Sequence, residues 1–145
     1  MFDIFQKNKL DEKKVNKLYI NIGALLIHVA KVDGNYSEQE KEIIRKTLLE
    51  LGLKKLDLNN VFKESEEIEK NSNQILEFTK EVKNKDEDFK IKIVEALWKI
   101  IYADKVSDIY ETSLMRRLTG LIYLDSKIAG DIKEKIKNSF NKWHI

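Results

Sequence analysis

The chain of 145 residues contains no cysteine, no proline and only five glycines. The absence of cysteine excludes disulfide bonds, thiolate metal sites and cysteine nucleophiles, and it is typical of a protein kept in a reducing compartment. Without proline, and with little glycine, long helices can run uninterrupted and few β-hairpin signals remain. These absences predict an all-α protein.

The chain also lacks a large excess of either charge. Its 27 basic and 25 acidic residues leave a formal net charge of +2, so the basic footprint of a nucleic-acid-binding protein is missing. The longest apolar stretch, residues 18–30, is interrupted by Asn21 and His28 and is shorter than the roughly 20 residues of a membrane span. The N-terminus lacks the features of a secretion signal. We therefore expect a cytoplasmic protein without a nucleic-acid partner.

Capping residues and apolar spacing predict seven helices in a single domain, residues 1–145. The first helix is expected to begin at Asp11 and to lie at the centre of a compact bundle, because its second half is apolar nearly all round. The second is expected to begin at Ser37 and to stop at Gly52. The later helix starts are signalled by Asp57, by a break at residues 71–73 ahead of a helix with Ile75, Phe78 and Val82, and by Asp86, Asp108 and Asp125.

The chain contains an internal repeat built around an acidic turn between two helices. Asp33, Glu40 and Arg45 recur 71 residues later (104 − 33 = 111 − 40 = 116 − 45 = 71). The recurring residues are Asp104, Glu111 and Arg116. The predicted pseudo-repeats cover residues from about 11 to 52 and from about 86 to 124, and a C-terminal helix covers about 125–143. Each of the two pseudo-repeats is predicted to be a helix-turn-helix half of the bundle.

The four carboxylates of these turns are the candidate metal ligands. Hard cations such as Mg²⁺ or Ca²⁺ take oxygen ligands, and turns supply carbonyl oxygens beside carboxylates. A structural alternative is open, because the glutamates also fit capping boxes at helix starts and the aspartates can accept hydrogen bonds from turn amides. Neither turn matches a twelve-residue EF-hand loop. The candidates are Asp33, Glu40, Asp104 and Glu111.

Three other residues in the repeats are interpreted structurally. Arg45 and Arg116 lie more than one helical turn beyond the glutamates, and we expect each to pair with a carboxylate of the opposite half. His28 is an isolated imidazole in an apolar helix, so it is predicted to be a hydrogen-bonded core residue rather than a zinc ligand.

Two helices carry a concentration of one charge, one near the middle of the chain and one at its end. The acidic run at Glu64, Glu66, Glu67 and Glu69 is predicted to be a solvated helix face. The last helix has an isoleucine stripe, which is expected to pack on the bundle. It could instead lie on an anionic membrane or dock in a partner's groove. Its lysines are Lys127, Lys133, Lys135, Lys137 and Lys142.

The residues around both turns resemble the tellurite-resistance protein TerB family. The matching segments are LIHVAKVDGNYSEQE at 26–40, EALWKIIYAD at 95–104, and residues 110–111 and 114–118. The resemblance implies a bundle of about seven helices with an internal repeat. It also implies a relationship to a helical domain of a DnaJ-type co-chaperone, and a metal or partner site at the four turn carboxylates. Lys105 stands where the family has glycine in the second turn.

Function is expected to rest on binding rather than on catalysis. No nucleophile has an evident general base, and no phosphate-binding loop or HExxH pattern is present. With the resemblance, this predicts a non-enzymatic module of bacterial stress response, as a monomer or homodimer, that binds a protein partner and a divalent cation at the acidic turns. The alternatives are a peripheral membrane-surface module that uses the basic C-terminal helix, and a metal-assisted hydrolase.

Overall fold

The computed structural model describes the backbone of residues 2–32, 36–71, 75–103 and 109–143, and the side chains of residues 16–32, 36–71, 77–103 and 113–139. The described residues form seven α-helices, two short 3-10 turns and no strand, which confirms the predicted all-α bundle. The helices are α1 (Phe2–Val32), α2 (Glu38–Glu50), α3 (Leu58–Asn71), α4 (Ile75–Thr79), α5 (Glu87–Ala103), α6 (Ile109–Leu121) and α7 (Ser126–Trp143). The 3-10 turns are Lys55–Asp57 and Val82–Asn84.

Helix α1 is the central helix of the bundle. Its residues Ile22, Leu25, Leu26 and Ile27 are wholly buried, and α1 contacts α2, α3, α4 and α5. A helix surrounded in this way needs apolar residues on every side, which is the pattern that residues 18–30 show. The predicted central position of this helix is therefore confirmed.

Helix α1 begins at Phe2, so the predicted start at Asp11 was wrong. Asp11 is a favourable capping residue, but a cap is needed only where the backbone leaves the helix. No proline and no glycine precedes Gly23, and most of residues 2–10 tolerate a helix. Asp11 therefore lies inside α1.

The helices follow the 71-residue spacing of the acidic turns. Helices α2 and α6 end at Glu50 and Leu121 (121 − 50 = 71). The correspondence continues into a third helix, because α3 follows α2 and packs on α1 as α7 follows α6 and packs on α5. Each repeat therefore consists of three helices.

The two repeats end their second helix with the same backbone motif but with different residues. Gly52 has φ 116° and Tyr123 has φ 60°, and the two positions differ by 71 residues. In both cases the amide of the following residue donates to a carbonyl five residues earlier, at 3.0 Å. This is the Schellman motif, in which glycine is the usual residue because it adopts positive φ without steric cost. Tyr123 therefore holds a strained conformation.

The segment between the repeats departs from prediction in one element. The single helix expected over Ile75, Phe78 and Val82 is divided into α4 and a 3-10 turn. Phe78 and Val82 are nevertheless buried, because the 3-10 turn returns the chain to the core. The next helix begins as predicted, with the Asp86 carboxylate accepting from the amide of Phe89 at 2.9 Å.

Close packing of α1 against α3 sets the geometry of the first repeat. The Ser65 hydroxyl lies 3.0 Å from the carbonyl oxygen of Ile20 and 2.7 Å from that of Val61, so it can donate to either. A Cβ atom on Gly23 would lie 2.8 Å from Cβ of Ser65. Glycine is therefore required at this crossing, and the approach brings the last turn of α3 beside the last turn of α1.

Candidate functional site

Ser37 and Glu40 form the capping box that the sequence predicts at the start of α2. Ser37 Oγ accepts from the Glu40 amide at 3.2 Å, and Glu40 Oε1 accepts from the Ser37 amide at 3.1 Å and from its hydroxyl at 2.9 Å. Glu40 is fully buried. The capping role of Glu40 is therefore confirmed, and one carboxylate oxygen is committed to it.

A buried carboxylate joins the last turns of α1 and α3. Lys31 Nζ lies 2.7 Å from Glu69 Oε2, and His28 Nδ1 lies 3.5 Å from Glu69 Oε1. Glu69 is only 7% exposed. Burying a carboxylate is unfavourable unless it is paired, and here the ammonium and the imidazole supply the partners. Removing Lys31 would leave the buried Glu69 carboxylate with only the His28 imidazole as a partner.

The sequence analysis missed Glu69, because it assigned the whole acidic run to a solvated face. Glu69 in fact lies on the inward side of α3, four and eight residues after the buried Ser65 and Val61. That spacing is the helical signal that distinguishes it from the exposed Glu64 and Glu67.

Tyr36 lies among charged side chains just before α2. The ammonium groups of Lys41 and Lys31 lie 4.8 Å and 5.7 Å from the centre of its ring, which places both in range for cation–π attraction. Burial disfavours the phenolate and raises the pKa of Tyr36 above its ordinary value of 10.0, and the neighbouring Glu66 carboxylate raises this pKa further. Tyr36 therefore stays protonated well into the alkaline range.

Together these side chains define the charged end of the first repeat, which consists of His28, Lys31, Tyr36, Glu40 and Glu69. The outcome for His28 is mixed. It has the predicted polar partner, but its side chain is 20% exposed rather than enclosed in the core. An imidazole at this position is accessible to solvent while it remains held by a buried acid.

The expected pairing of Arg45 with a carboxylate of the opposite half was wrong. Its Nη1 lies 3.3 Å from Glu42 Oε2, one turn earlier on the same helix, and its guanidinium carbon lies 4.6 Å from the centre of the Phe62 ring. The nearby glutamate and the ring from α3 satisfy the guanidinium within its own repeat. Arg116 is exposed on α6 and pairs with no acid among the described residues.

The four predicted metal ligands are only partly within the described residues. Asp33 and Asp104 lie outside them, as does Lys105, and the side chain of Glu111 is not described. Glu40 is the one candidate whose side chain is placed. Among the side chains that the structure describes, no three histidines or acids come together as metal ligands would. A cation site at either turn therefore remains a prediction.

The C-terminal helix packs its apolar face on the bundle. Ile132 and Ile136 are 6% and 4% exposed, and α7 contacts α5 and α6. In this arrangement Ile132 and Ile136 are covered by protein and cannot at the same time contact lipid, whereas Ile128 is partly buried. Within the described part of the chain, no helix has the length and apolar content needed to cross a membrane.

Comparison with known proteins identifies the family of this chain. No curated protein and no solved structure gives a significant match. The model of the family described as tellurite resistance protein TerB matches residues 19–134, which include the described parts of both repeats from α1 to the middle of α7. Because the match covers most of the chain and agrees with the repeated helical fold, the chain belongs to the TerB family of tellurite resistance proteins.

Proposed function

We propose that the chain is a non-enzymatic, cytoplasmic binding module of bacterial stress response, and that the charged end of its first repeat binds a protein partner together with a divalent cation. The family supports a role of the tellurite-resistance type. The partner, the cation and the absence of catalysis are parts of the proposal.

The observation that carries the proposal is the ion pair between the buried carboxylate of Glu69 and the partly exposed ammonium of Lys31, supported by His28. Burying the Glu69 carboxylate has a desolvation cost that an apolar side chain at this position would not have, so stability alone does not explain a carboxylate there. Lys31 precedes Asp33 by two residues, so the pair adjoins in sequence the acidic turn that is the independently predicted candidate site.

A divalent cation at this end would depend on the turn itself. Glu40 Oε1 is used by the capping box, so the first turn would hold Mg²⁺ or Ca²⁺ through Asp33 and backbone carbonyls with limited help from Glu40. The second turn offers Asp104 and Glu111 as the corresponding pair. When bound, the cation would screen the acids of the turn and give a partner's carboxylate or carbonyl a ligand position.

The partner half of the proposal is tested by site-specific photocrosslinking in cells of the source organism challenged with tellurite. A photoreactive residue replaces Gln39, which is exposed in the first turn of α2 beside the charged end. The matched control replaces Asn60, which is also exposed but lies in the first turn of α3, away from Glu69 along the same helix. We expect a discrete adduct from position 39 that is absent from position 60. Equal adducts at both positions, or none at either, would contradict the proposal.

A further inference from the structure

The second repeat leaves open a space that the first repeat fills. In the first repeat Leu48 is wholly buried and Leu58 packs against the core. The corresponding residues, 71 positions later, are Thr119 and Ala129 (119 − 48 = 129 − 58 = 71). Both replacements are smaller and one is polar. A surface pocket of about 230 Å³ is lined by these two residues, between α5, α6 and α7.

The same comparison places two cations at this pocket. In the first repeat the guanidinium of Arg45 packs on the ring of Phe62. The corresponding positions carry Arg116 and Lys133 (116 − 45 = 133 − 62 = 71), and both line the pocket. No acidic side chain lines it among the described residues, and neither cation forms an ion pair with a described acid. An anion in the pocket would be attracted by both cations.

A third observation concerns the buried hydrogen-bond donor of Trp98, one of the residues that line the pocket. Trp98 lines the pocket and is only 4% exposed, and its buried indole Nε1 has no hydrogen-bond partner. Lys133 Nζ lies 5.3 Å from the centre of the Trp98 ring. A buried donor without an acceptor is unfavourable and is rare in native structures, so it calls for a specific explanation. An acceptor atom supplied by a ligand would provide one.

The N-terminal part of α7 completes the lining. Of its residues at the pocket Ser126 lies in the first turn, whereas Ala129 is the fourth residue of the helix and its amide donates to the Asp125 carbonyl at 3.0 Å. Amides at the beginning of a helix have no intrahelical acceptor, and the helix dipole favours negative charge at that end. The pocket therefore combines a buried indole donor, two cationic side chains and a helix start.

We propose that this pocket binds a small ligand through an oxyanion, either a carboxylate or a phosphate group. The oxyanion accepts from the Trp98 indole and is neutralised by Arg116 and Lys133, while the wall formed by Met115 and Ala129 contacts an apolar part of the ligand. The volume is below the roughly 300–1,000 Å³ of pockets for drug-sized ligands, which limits the ligand to a small metabolite or a single acidic group.

The test is a titration followed by the indole N–H resonances in ¹H–¹⁵N NMR. The chain has two tryptophans, so a Trp143→Phe variant assigns the Trp98 signal. The probes are inorganic phosphate and acetate, with sodium chloride at equal ionic strength as the control. We expect a saturable shift of the Trp98 signal with phosphate or acetate and not with chloride. A shift with phosphate alone identifies a phosphate site, and a shift with acetate alone identifies a carboxylate site. No saturable shift with either probe would overturn the proposal.

Three variants locate the binding. Arg116→Gln and Lys133→Gln should each weaken it by about tenfold or more, since hydrogen bonds to charged groups are worth at least that factor. Gly130→Leu introduces a side chain at a position where an added Cβ meets no atom within 4 Å, and it should reduce binding through occupation of the pocket. Gly120→Leu is the matched control, since Gly120 is equally open but does not line this pocket. Binding unchanged in all three pocket variants would overturn the proposal.

Discussion

The three helical glycines Gly23, Gly120 and Gly130 allow the packing of the bundle to be tested with one type of substitution. Each is replaced by alanine, which adds a single methyl group and favours the helix. At Gly120 and Gly130 the added Cβ meets nothing within 4 Å. At Gly23 it meets the Ser65 side chain, including Cβ at 2.8 Å. Identical chemistry should therefore give opposite effects on the free energy of unfolding.

The magnitudes follow from the contacts. Replacing glycine with alanine inside an open helix stabilises by up to about 1 kcal/mol, so Gly130→Ala should raise the free energy of unfolding by that order. Gly23→Ala has the same helix gain, but overpacking costs about 1–3 kcal/mol and displacement of the Ser65 hydroxyl loses a hydrogen bond worth about 1 kcal/mol. The net effect at Gly23 should be a destabilisation of about 1–3 kcal/mol.

Urea unfolding measures these differences. With the dependence on denaturant unchanged, the midpoint should rise for Gly130→Ala and fall for Gly23→Ala. Combining Gly23→Ala with Ser65→Gly should cost less than the sum of the two single effects, because the clash is then absent. A stabilised Gly23→Ala variant would refute the close packing of α1 on α3.

Two further predictions concern tyrosines. Tyr123→Gly should raise the free energy of unfolding by about 1 kcal/mol by removing a side chain from positive φ, whereas Gly52→Ala should lower it, as measured by urea midpoints. A destabilised Tyr123→Gly variant together with a stabilised Gly52→Ala variant would contradict the positive φ that the two positions share. Because burial and Glu66 raise the pKa of Tyr36, the folded state retains this proton and its stability falls as the pH rises above 10.0. Tyr36→Phe should make the alkaline decline in Tm shallower. An unchanged decline would contradict this assignment. Burial also raises the pKa of Tyr19, and Tyr19 contributes to the alkaline decline of both proteins.

Features encoded over a few neighbouring residues could be predicted from the sequence. The Ser37–Glu40 capping box spans one helical turn, and the Gly52 helix end needs only a glycine after an apolar run. The 71-residue repeat could also be predicted, because it is found by comparing one part of the sequence with another. Asp11 shows the limit of this approach, because a good capping residue inside a continuous helical segment does not start a helix.

Features that depend on how helices cross could not be predicted in this way. Glu69 meets Lys31, 38 residues earlier, only because Gly23 and Ser65 allow α1 and α3 to approach closely. Arg45 contacts Phe62 through the packing of α2 on α3. The pocket of the second repeat becomes visible in the sequence only after the structure shows that the repeat includes a third helix.

The claim that the first acidic turn binds a ligand, in addition to capping α2, is tested most directly by thermal unfolding of chelator-treated protein with and without millimolar Mg²⁺ or Ca²⁺. A cation at about 100 times its dissociation constant adds roughly 2.7 kcal/mol, which raises Tm by several degrees in a domain of this size. We predict such a shift for the native chain and its loss in Asp33→Asn. The control Asp86→Asn makes the same change of charge at a helix cap, where asparagine also caps well, and should keep the shift. No shift with either ion, or an equal shift in Asp33→Asn, would contradict the claim and leave the turn with capping alone.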